Sequence, residues 1–368
     1  MSADQTKKKV FLYPSDIAAY IGQNQYDFVT PFERLWKRCD PESYTEIINQ
    51  SKTKLDLQKK ELENLEKQRV NLQIELDNKK ITKRQYKLRV EKIDKNVSEV
   101  KEESKSLESK IDNIDLDQQQ RLIKSIGEEN VQLLQSAVVE TEDKQKNITT
   151  ILENMNLEKD KLAVLQRETT SFINKTHGTL REDSAIEIYE QKSGVKLDTS
   201  QKFYKRQIKL STQFEWCIGG RLDGIYIDKE HPERSYIVEI KNRMRGFFST
   251  LRDYEKTQIH IYMYMLSIPV AKLVEKYNDK IRITVIHQDD DYLNDVLEYL
   301  HIFAEGFEHK FLNDINMKSR FVSSDSSEKQ MIIRKLYLNK ISQTVNKRLQ
   351  NELQDDLDDD SCLINDDL

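Results

Sequence analysis

"SYIVEIKNRMRGF", residues 235–247, opens on β-branched and apolar residues and then sets Glu239 and Lys241 two positions apart. In a strand, side chains two apart share a face. An acid and a base therefore point the same way from what reads as a core strand, with Val238 and Ile240 on the opposite, buried face. Glu-x-Lys alone carries little. It recurs at Glu99/Lys101, Glu103/Lys105, Glu108/Lys110 and Glu308/Lys310, all in segments of helical periodicity, where such a pair is a solvated surface feature. A surface ion pair is the plain reading of Glu239/Lys241 too, and the neighbouring segments bear on it.

The preceding segment "CIGGRLDGIYID", residues 217–228, reads as turning at Gly219-Gly220 and bringing Asp223 up beside Glu239 on an adjacent strand. Two carboxylates converging in a sheet raise each other's pKa unless a cation lies between them. Oxygen ligands without His or Cys suit Mg²⁺, or Mn²⁺ in its place, rather than zinc. Lys241 beside them could hold a phosphate or position a water that the metal makes nucleophilic. The bland alternative, a hairpin Asp and a surface Glu, stays open at this point. A third acid, Glu182, falls one turn into the helix of "HGTLREDSAIEIYEQKSG", residues 177–194, opposite its Ile186/Tyr189 stripe or at the stripe's edge. In "TQIHIYMYML", residues 257–266, Gln258 and Tyr262 lie four apart on one helical face. That pair is either a satisfied core hydrogen bond or part of a site.

Working outward, residues 42–177 contain no Pro and one Gly, and their apolar residues step by threes and fours. Tyr86, Val90, Ile93, Val97, Val100, Leu107, Ile111 and Ile114 make one run, with Ser104 interrupting it. Leu55, Leu62, Leu65, Leu72 and Leu76 make another. The spacing predicts long antiparallel helices in a coiled-coil arm, with Thr82 and Gln85 as the capping box that opens the second. A looser third run follows Gly127. Ahead of the arm, Ser15 reads as the N-cap of a short helix stopped by Gly22, and Thr30/Glu33 as a second capping box. After it the order reads helix 179–193, strands 203–211, 214–227 and 236–241, helix 251–268, strand 281–287 and helix 292–311. This gives an N-terminal part of an α/β domain over 1–44, the arm over 45–172, the domain core over 173–315, a C-terminal helical segment over 316–350 and an acidic tail over 351–368.

Asp223 followed by Glu239-x-Lys241 resembles the signature of the PD-(D/E)xK nuclease superfamily. "GTLREDSAIEIYEQKSG" and "SDIAAYIGQNQYDFVTPFERLWKR" resemble segments of its phage lambda exonuclease branch, the YqaJ-like viral recombinases, over roughly residues 10–44 and 174–312. The resemblance implies a restriction-endonuclease-like α/β core, a mixed central sheet flanked by helices, carrying the inserted antiparallel arm. It implies Glu182, Asp223, Glu239 and the Ile240 carbonyl as Mg²⁺ ligands, Lys241 as the catalytic lysine and Gln258 beside the site. It places Ser15 at a 5′-phosphate pocket. The family's arginine just before that serine is missing, and only Lys7, Lys8 and Lys9 stand there. Lysine binds phosphate without the bidentate fork of arginine. The DNA contacts expected are Ser15, Lys8, Arg221, Arg243, Arg245 and Tyr262, the basic run being interleaved with Phe247 and Phe248. The expected activity is a Mg²⁺-dependent DNA exonuclease acting on duplex ends in recombination, repair or viral genome processing. A structure-specific or single-strand endonuclease is the alternative on the same fold, and a coiled-coil scaffold with a degenerate nuclease domain is the alternative outside it. The expected partners are DNA, a single-strand annealing or replication protein, and a second copy of the chain.

Composition narrows the class without choosing among these. The 368 residues are 33% charged, with a mean hydropathy of -0.75. Cys39, Cys217 and Cys362 form no CxxC or Cys/His cluster, which disfavours a disulfide framework, a zinc site or an iron–sulfur nuclease and points to a reducing compartment. The longest apolar run, residues 261–274, is broken by Pro269 and Lys272 and is too short for a membrane span. With no signal peptide read at the start, the expectation is an intracellular protein, in host cytoplasm or nucleus if viral. The tail over 351–368 holds eight acids and no base, so the net -5 leaves the remainder at +3.

Overall fold

The computed structural model describes residues 7–348 apart from 25, 116–117, 141–143, 156–164, 167–168, 170–181, 211–212, 244–245 and 279. The chain divides into two compact units, residues 1–41 with 176–368 and residues 42–175.

The first unit is mixed α/β. Strand β1 (Lys8–Leu12) runs parallel to β3 (Phe214–Gly220), and β2 (Tyr204–Gln207) runs antiparallel to β3 on its other side. A second sheet has the order β4 (Gly224–Tyr226), β5 (Tyr236–Asn242), β6 (Val270–Tyr277), β7 (Lys280–His287), with only β5 and β6 parallel. A parallel pair needs a long crossover, and helix α9 (Asp253–Leu266) lies between β5 and β6 in the chain. The run read as one strand over 214–227 is thus two strands in two sheets. Gly219 and Gly220 close β3 rather than making its turn. Their bareness serves close approach: a Cβ on Gly219 would sit 2.7 Å from both Phe11 and Phe203, and one on Gly220 would sit 3.0 Å from Pro14.

Two local expectations at the N-terminus are shifted by neighbouring residues. Helix α1 (Pro14–Tyr20) begins at Pro14, whose fixed φ suits a first helical position, so Ser15 lies inside the helix and Tyr13 is its N-cap. Helix α2 (Val29–Cys39) starts with Asp27 accepting from the Thr30 N–H, and Glu33 is drawn to Lys329 instead of closing a box. Gly22 does end α1, at φ +81°.

The core of this unit is aromatic. Phe32 and Trp36 of α2 pack against Phe311 and Phe321, and Tyr20 stacks on Phe303 at 4.8 Å. Phe303 belongs to α10 (Asp290–Glu305), which continues as a π-helical turn, Gly306–Leu312, carrying Phe307 and Phe311. Helices α11 (Ile315–Ser323) and α12 (Ser326–Ile333) and a second π turn, Arg334–Leu338, follow. Their Phe321, Ile333 and Tyr337 are fully buried, so these elements complete the α/β core.

The second unit opens with α3 (Pro41–Asp77) and α4 (Lys83–Asp115). Lys59 pairs with Glu108, Arg69 with Asp94 and Glu75 with Arg89. Numbers rise along one helix as they fall along the other, which makes the pair antiparallel. Leu65, Leu72 and Ile93 close the seam with Tyr86, Val90, Val97 and Val100. Ser104, which breaks the apolar repeat, is matched by a polar partner: its hydroxyl donates to Gln58, and Gln58 donates to Glu103. At the connection, the Thr82 N–H donates to Gln85 Oε1 and the Gln85 N–H to Thr82 Oγ1, a reciprocal capping box. Helices α5 (Gln118–Ile126), α6 (Glu128–Glu140) and α7 (Lys144–Glu153) bury Leu122, Val131, Leu134, Ile148 and Leu152 together. Among the described residues no helix is long and apolar enough to cross a membrane.

Candidate active site

The site gathers on β5. Gly224 pairs with Val238 in the antiparallel β4–β5 register, so Asp223 comes level with Glu239 one step beyond the end of β4. Its carboxylate extends the pairing, with Oδ2 accepting from the Ile240 N–H at 2.7 Å. Glu239 is 3% exposed and is not a surface acid. Strand β5 is covered on both faces. Val238 and Ile240 pack with Ala185 and Tyr189 of α8 (Glu182–Ser193), while Glu239 meets α9.

Two side chains converge on a single oxygen of Glu239. Lys241 Nζ donates to Glu239 Oε1 at 2.7 Å and Gln258 Nε2 donates to the same oxygen at 2.9 Å. Lys241 also donates to Gln258 Oε1 at 3.3 Å. The other oxygen, Glu239 Oε2, is buried without a hydrogen-bond partner. Burial first, and the Asp223 carboxylate second, push the Glu239 carboxyl up to about 7. Burial works to lower the Lys241 pKa, but the Glu239 and Asp223 charges outweigh it and hold the ammonium charged. The Lys241 side chain is 26% exposed and thus reaches solvent, as Glu239 does not.

An unpartnered buried carboxylate oxygen is costly, and one set beside a second carboxylate is costlier still. A divalent cation on Glu239 Oε2 and Asp223 would relieve both costs, and an all-oxygen donor set suits Mg²⁺ or Mn²⁺. The residues present therefore fit such an ion. Among the described residues no group of three His, Cys, Asp or Glu could hold a metal. The third expected ligand, Glu182, opens helix α8, but its side chain lies outside the described residues, as does the whole of Arg245.

The metal-free protein carries a pH signature of this arrangement. An unperturbed Glu titrates at 4.5, whereas Glu239 is raised to about 7 in the fold. The folded state thus holds a proton that the unfolded chain releases, and stability from this group is complete below 4.5 and lost as pH rises through about 7. In chelator, calorimetric melting temperature is expected to fall across that window. Glu239→Gln should remove that part of the slope, and an identical slope in the variant would count against a buried, protonated Glu239.

The residues expected to contact DNA fall into several environments. Ser15 is exposed at the start of α1, and Arg221 is exposed just past β3. Gly220 brings the end of β3 against Pro14 and Tyr262, so these two positions lie at one corner of the unit. Tyr262 is buried and its hydroxyl donates to the Arg221 carbonyl at 2.9 Å, so it fixes this corner and does not face solvent. Lys8 donates to the Cys39 carbonyl at the end of α2. Arg243 is not on a wet track. Its guanidinium makes a fork to Glu255 at 2.6 and 2.9 Å, donates to Glu275 at 2.7 Å and lies over Phe248. Sequence reasoning missed Glu255, Glu275 and Arg282, which complete this buried network. The one signal was an acid inside the apolar run "VAKLVEKY". Helix α9, which carries Gln258, is fastened by Thr257, Gln23 and Tyr292, whose side chains hydrogen-bond to one another.

Comparison with known proteins gives one family match. Residues 134–272 match the family model of the YqaJ-like viral recombinase domain. The match starts inside the helical segment read as an insertion and takes in Glu182, Asp223, Glu239, Lys241, Gln258 and Tyr262. No curated protein matches the chain. Among solved structures, SSO0001 is 20% identical with a TM-score of 0.26, over 35% of this chain and 65% of that one. LHK-Exo, in complex with dAMP, is 16% identical with a TM-score of 0.30, over 51% of this chain and 89% of that one. This chain thus spans just under two thirds of the first. The segment that builds β5 and its surroundings is therefore the part of the chain that matches the YqaJ-like viral recombinase domain.

Proposed function

We propose that the chain is a Mg²⁺-dependent DNA nuclease that hydrolyses phosphodiester bonds inward from duplex ends. The family supports a nuclease. The observation that carries the metal-dependent reading is Glu239, with both donors on Oε1 and Oε2 left bare beside Asp223. In this reading Asp223, Glu239, the Ile240 carbonyl and Glu182 hold the ion. When bound, the ion supplies charge relief at the scissile phosphate and at the leaving oxygen. Gln258 fixes the rotamer of Glu239. Lys241, charged and open to solvent on one side, holds a phosphate oxygen and orients the attacking water, in the electrostatic manner that dominates such sites. Ser15 and Arg221 flank the DNA end at the corner braced by Tyr262.

Duplexes labelled at one end, with 5′-phosphate or 5′-hydroxyl and alongside circular DNA, test this. Mg²⁺-dependent release of short products from linear DNA is expected, with circular DNA spared. Cutting of circles would replace the exonuclease with an endonuclease, and no cleavage in Mg²⁺ or Mn²⁺ would sink the reading. Glu182→Gln keeps the side-chain shape but loses the charge, so it is expected to raise the Mg²⁺ concentration required. An unchanged Mg²⁺ titration would remove Glu182 from the ligand set.

A further inference from the structure

Charge in the second unit is balanced, with 25 bases and 26 acids over residues 42–175. The longest run of bases without an acid lies at one place. Residues 79–89, "KKITKRQYKLR", hold six bases and no acid. This is the connection between α3 and α4 and the first turns of α4. Arg89 lies 3.7 Å from Glu75. Lys79, Lys80, Lys83, Arg84 and Lys87 are all exposed, and among the described residues none of these five makes an ion pair. Elsewhere on the two helices, Lys59, Arg69 and Lys95 are each within ion-pair distance of an acid, and other exposed bases such as Lys60, Lys67, Lys101 and Lys105 stand among acids in the sequence.

The placement also opposes the helices' own electrostatics. A helix N-terminus favours acids and disfavours bases, yet the first turn of α4 has no acid and carries Lys83 and Arg84. The last turn of α3 has no base and ends on Asp77. Folding gains nothing from this arrangement. The cations are nonetheless firmly presented. The Thr82/Gln85 capping box fixes the turn, and Ile81 and Tyr86 are packed inward against the Leu65, Leu72 and Ile93 seam. With its local aromatic residue turned inward, the tip offers charge without the aromatic anchor typical of protein interfaces. That suits a phosphate backbone, whose binding is electrostatic and sequence-independent.

We propose that the tip of the α3–α4 hairpin is a second, non-catalytic contact for duplex DNA, made by Lys79, Lys80, Lys83, Arg84 and Lys87 to backbone phosphates. The proposal rests on the reading of DNA as substrate and extends it to a unit outside the β5 site. Its contribution is to retention of DNA, not to the chemical step.

Binding of the full-length chain to a fluorescent duplex is measured in chelator across a salt series. Single-turnover cleavage at saturating protein is measured separately in Mg²⁺. Replacing all five by Gln is expected to weaken binding by about tenfold or more and to flatten the slope of log K against log salt by about 3 to 5. The saturated cleavage rate should stay unchanged. Lys79→Gln/Lys80→Gln, which leaves α4 untouched, should flatten the slope by about 2. A control removes five exposed lysines of the same helices, Lys60, Lys67, Lys95, Lys101 and Lys105, and should bind as wild type. Wild-type affinity and slope in the tip variants would overturn the proposal, as would an equal loss in the control. Competition by polyglutamate as strong as by duplex of equal charge would overturn the assignment to nucleic acid. If wild type cleaves no DNA yet binding still depends on the tip, the nuclease reading falls and the tip contact stands.

Discussion

Lys241→Ala is expected to lower single-turnover DNA cleavage by roughly 10² to 10³-fold or more, the range typical for deleting one preorganised charge at developing negative charge. The variant should still fold. Lys241 is 26% exposed, and the carboxyl it leaves behind can take up a proton, so no isolated charge remains buried. The Glu239 pKa should rise further above its present value of about 7 once the Lys241 charge and hydrogen bond, which both lower it, are gone. Asp223→Asn is the companion variant. An amide oxygen can still accept from the Ile240 N–H, which preserves the corner between β4 and β5, but the charge is lost. Cleavage should collapse while melting in chelator holds or improves, since two converging carboxylates become one. Activity within about tenfold of wild type in either variant, against the range above, would detach these residues from the chemistry.

Arg243→Ala is expected to damage the fold itself, by about 3–5 kcal/mol, the scale for breaking a buried ion pair from one side. Its side chain is 8% exposed and it answers two glutamates, Glu255 and Glu275, that are each 1% exposed. Arg282 would still serve Glu275, but the fork that Arg243 makes to Glu255 would be gone. Arg243→Lys keeps the charge and loses the fork, so its cost should fall between wild type and alanine. Chemical denaturation measures both. A DNA-contact role predicts the opposite pattern: unchanged stability with weaker, less salt-sensitive DNA binding.

These two arginine and lysine positions show what a sequence can and cannot reveal. Glu239 and Lys241 are neighbours in a strand, so period two alone puts them on one face, and their side chains do meet at 2.7 Å. The Thr82/Gln85 box is likewise local, spanning one helical turn. Arg243 looked like part of a basic run because its acids arrive from elsewhere, Glu255 from α9 and Glu275 from β6. Strand β6 was itself hidden. It follows the apolar helix α9 after only a short connection, and the pair of segments reads as one apolar stretch. Strand β1, "KKVFL", is short and opens on two lysines, and only its parallel pairing with β3 identifies it. Gly219-Gly220 resembled a turn because composition does not distinguish a glycine required by φ from one required by a neighbour's ring.

The pairing of β1 with β3 also sets a timetable for synthesis. Lys8 is matched with Phe214 and Leu12 with Ile218, so the ribosome must deliver the entire intervening chain before the first strand has anything to pair with. At about 5–20 residues per second this leaves β1, α1 and α2 waiting on the order of 10–40 s. During that interval Leu12, Ile17, Phe32 and Trp36, all fully enclosed in the finished protein, have no core to enter. The α3–α4 hairpin needs only neighbouring sequence and can form meanwhile, which removes its residues from the loop that must close and lessens the entropy lost on closure. The N-terminal segment is accordingly the natural holding site for a chaperone on the nascent chain. Moving residues 7–41 to follow residue 348 by circular permutation would shift the wait from the start of the chain to its end.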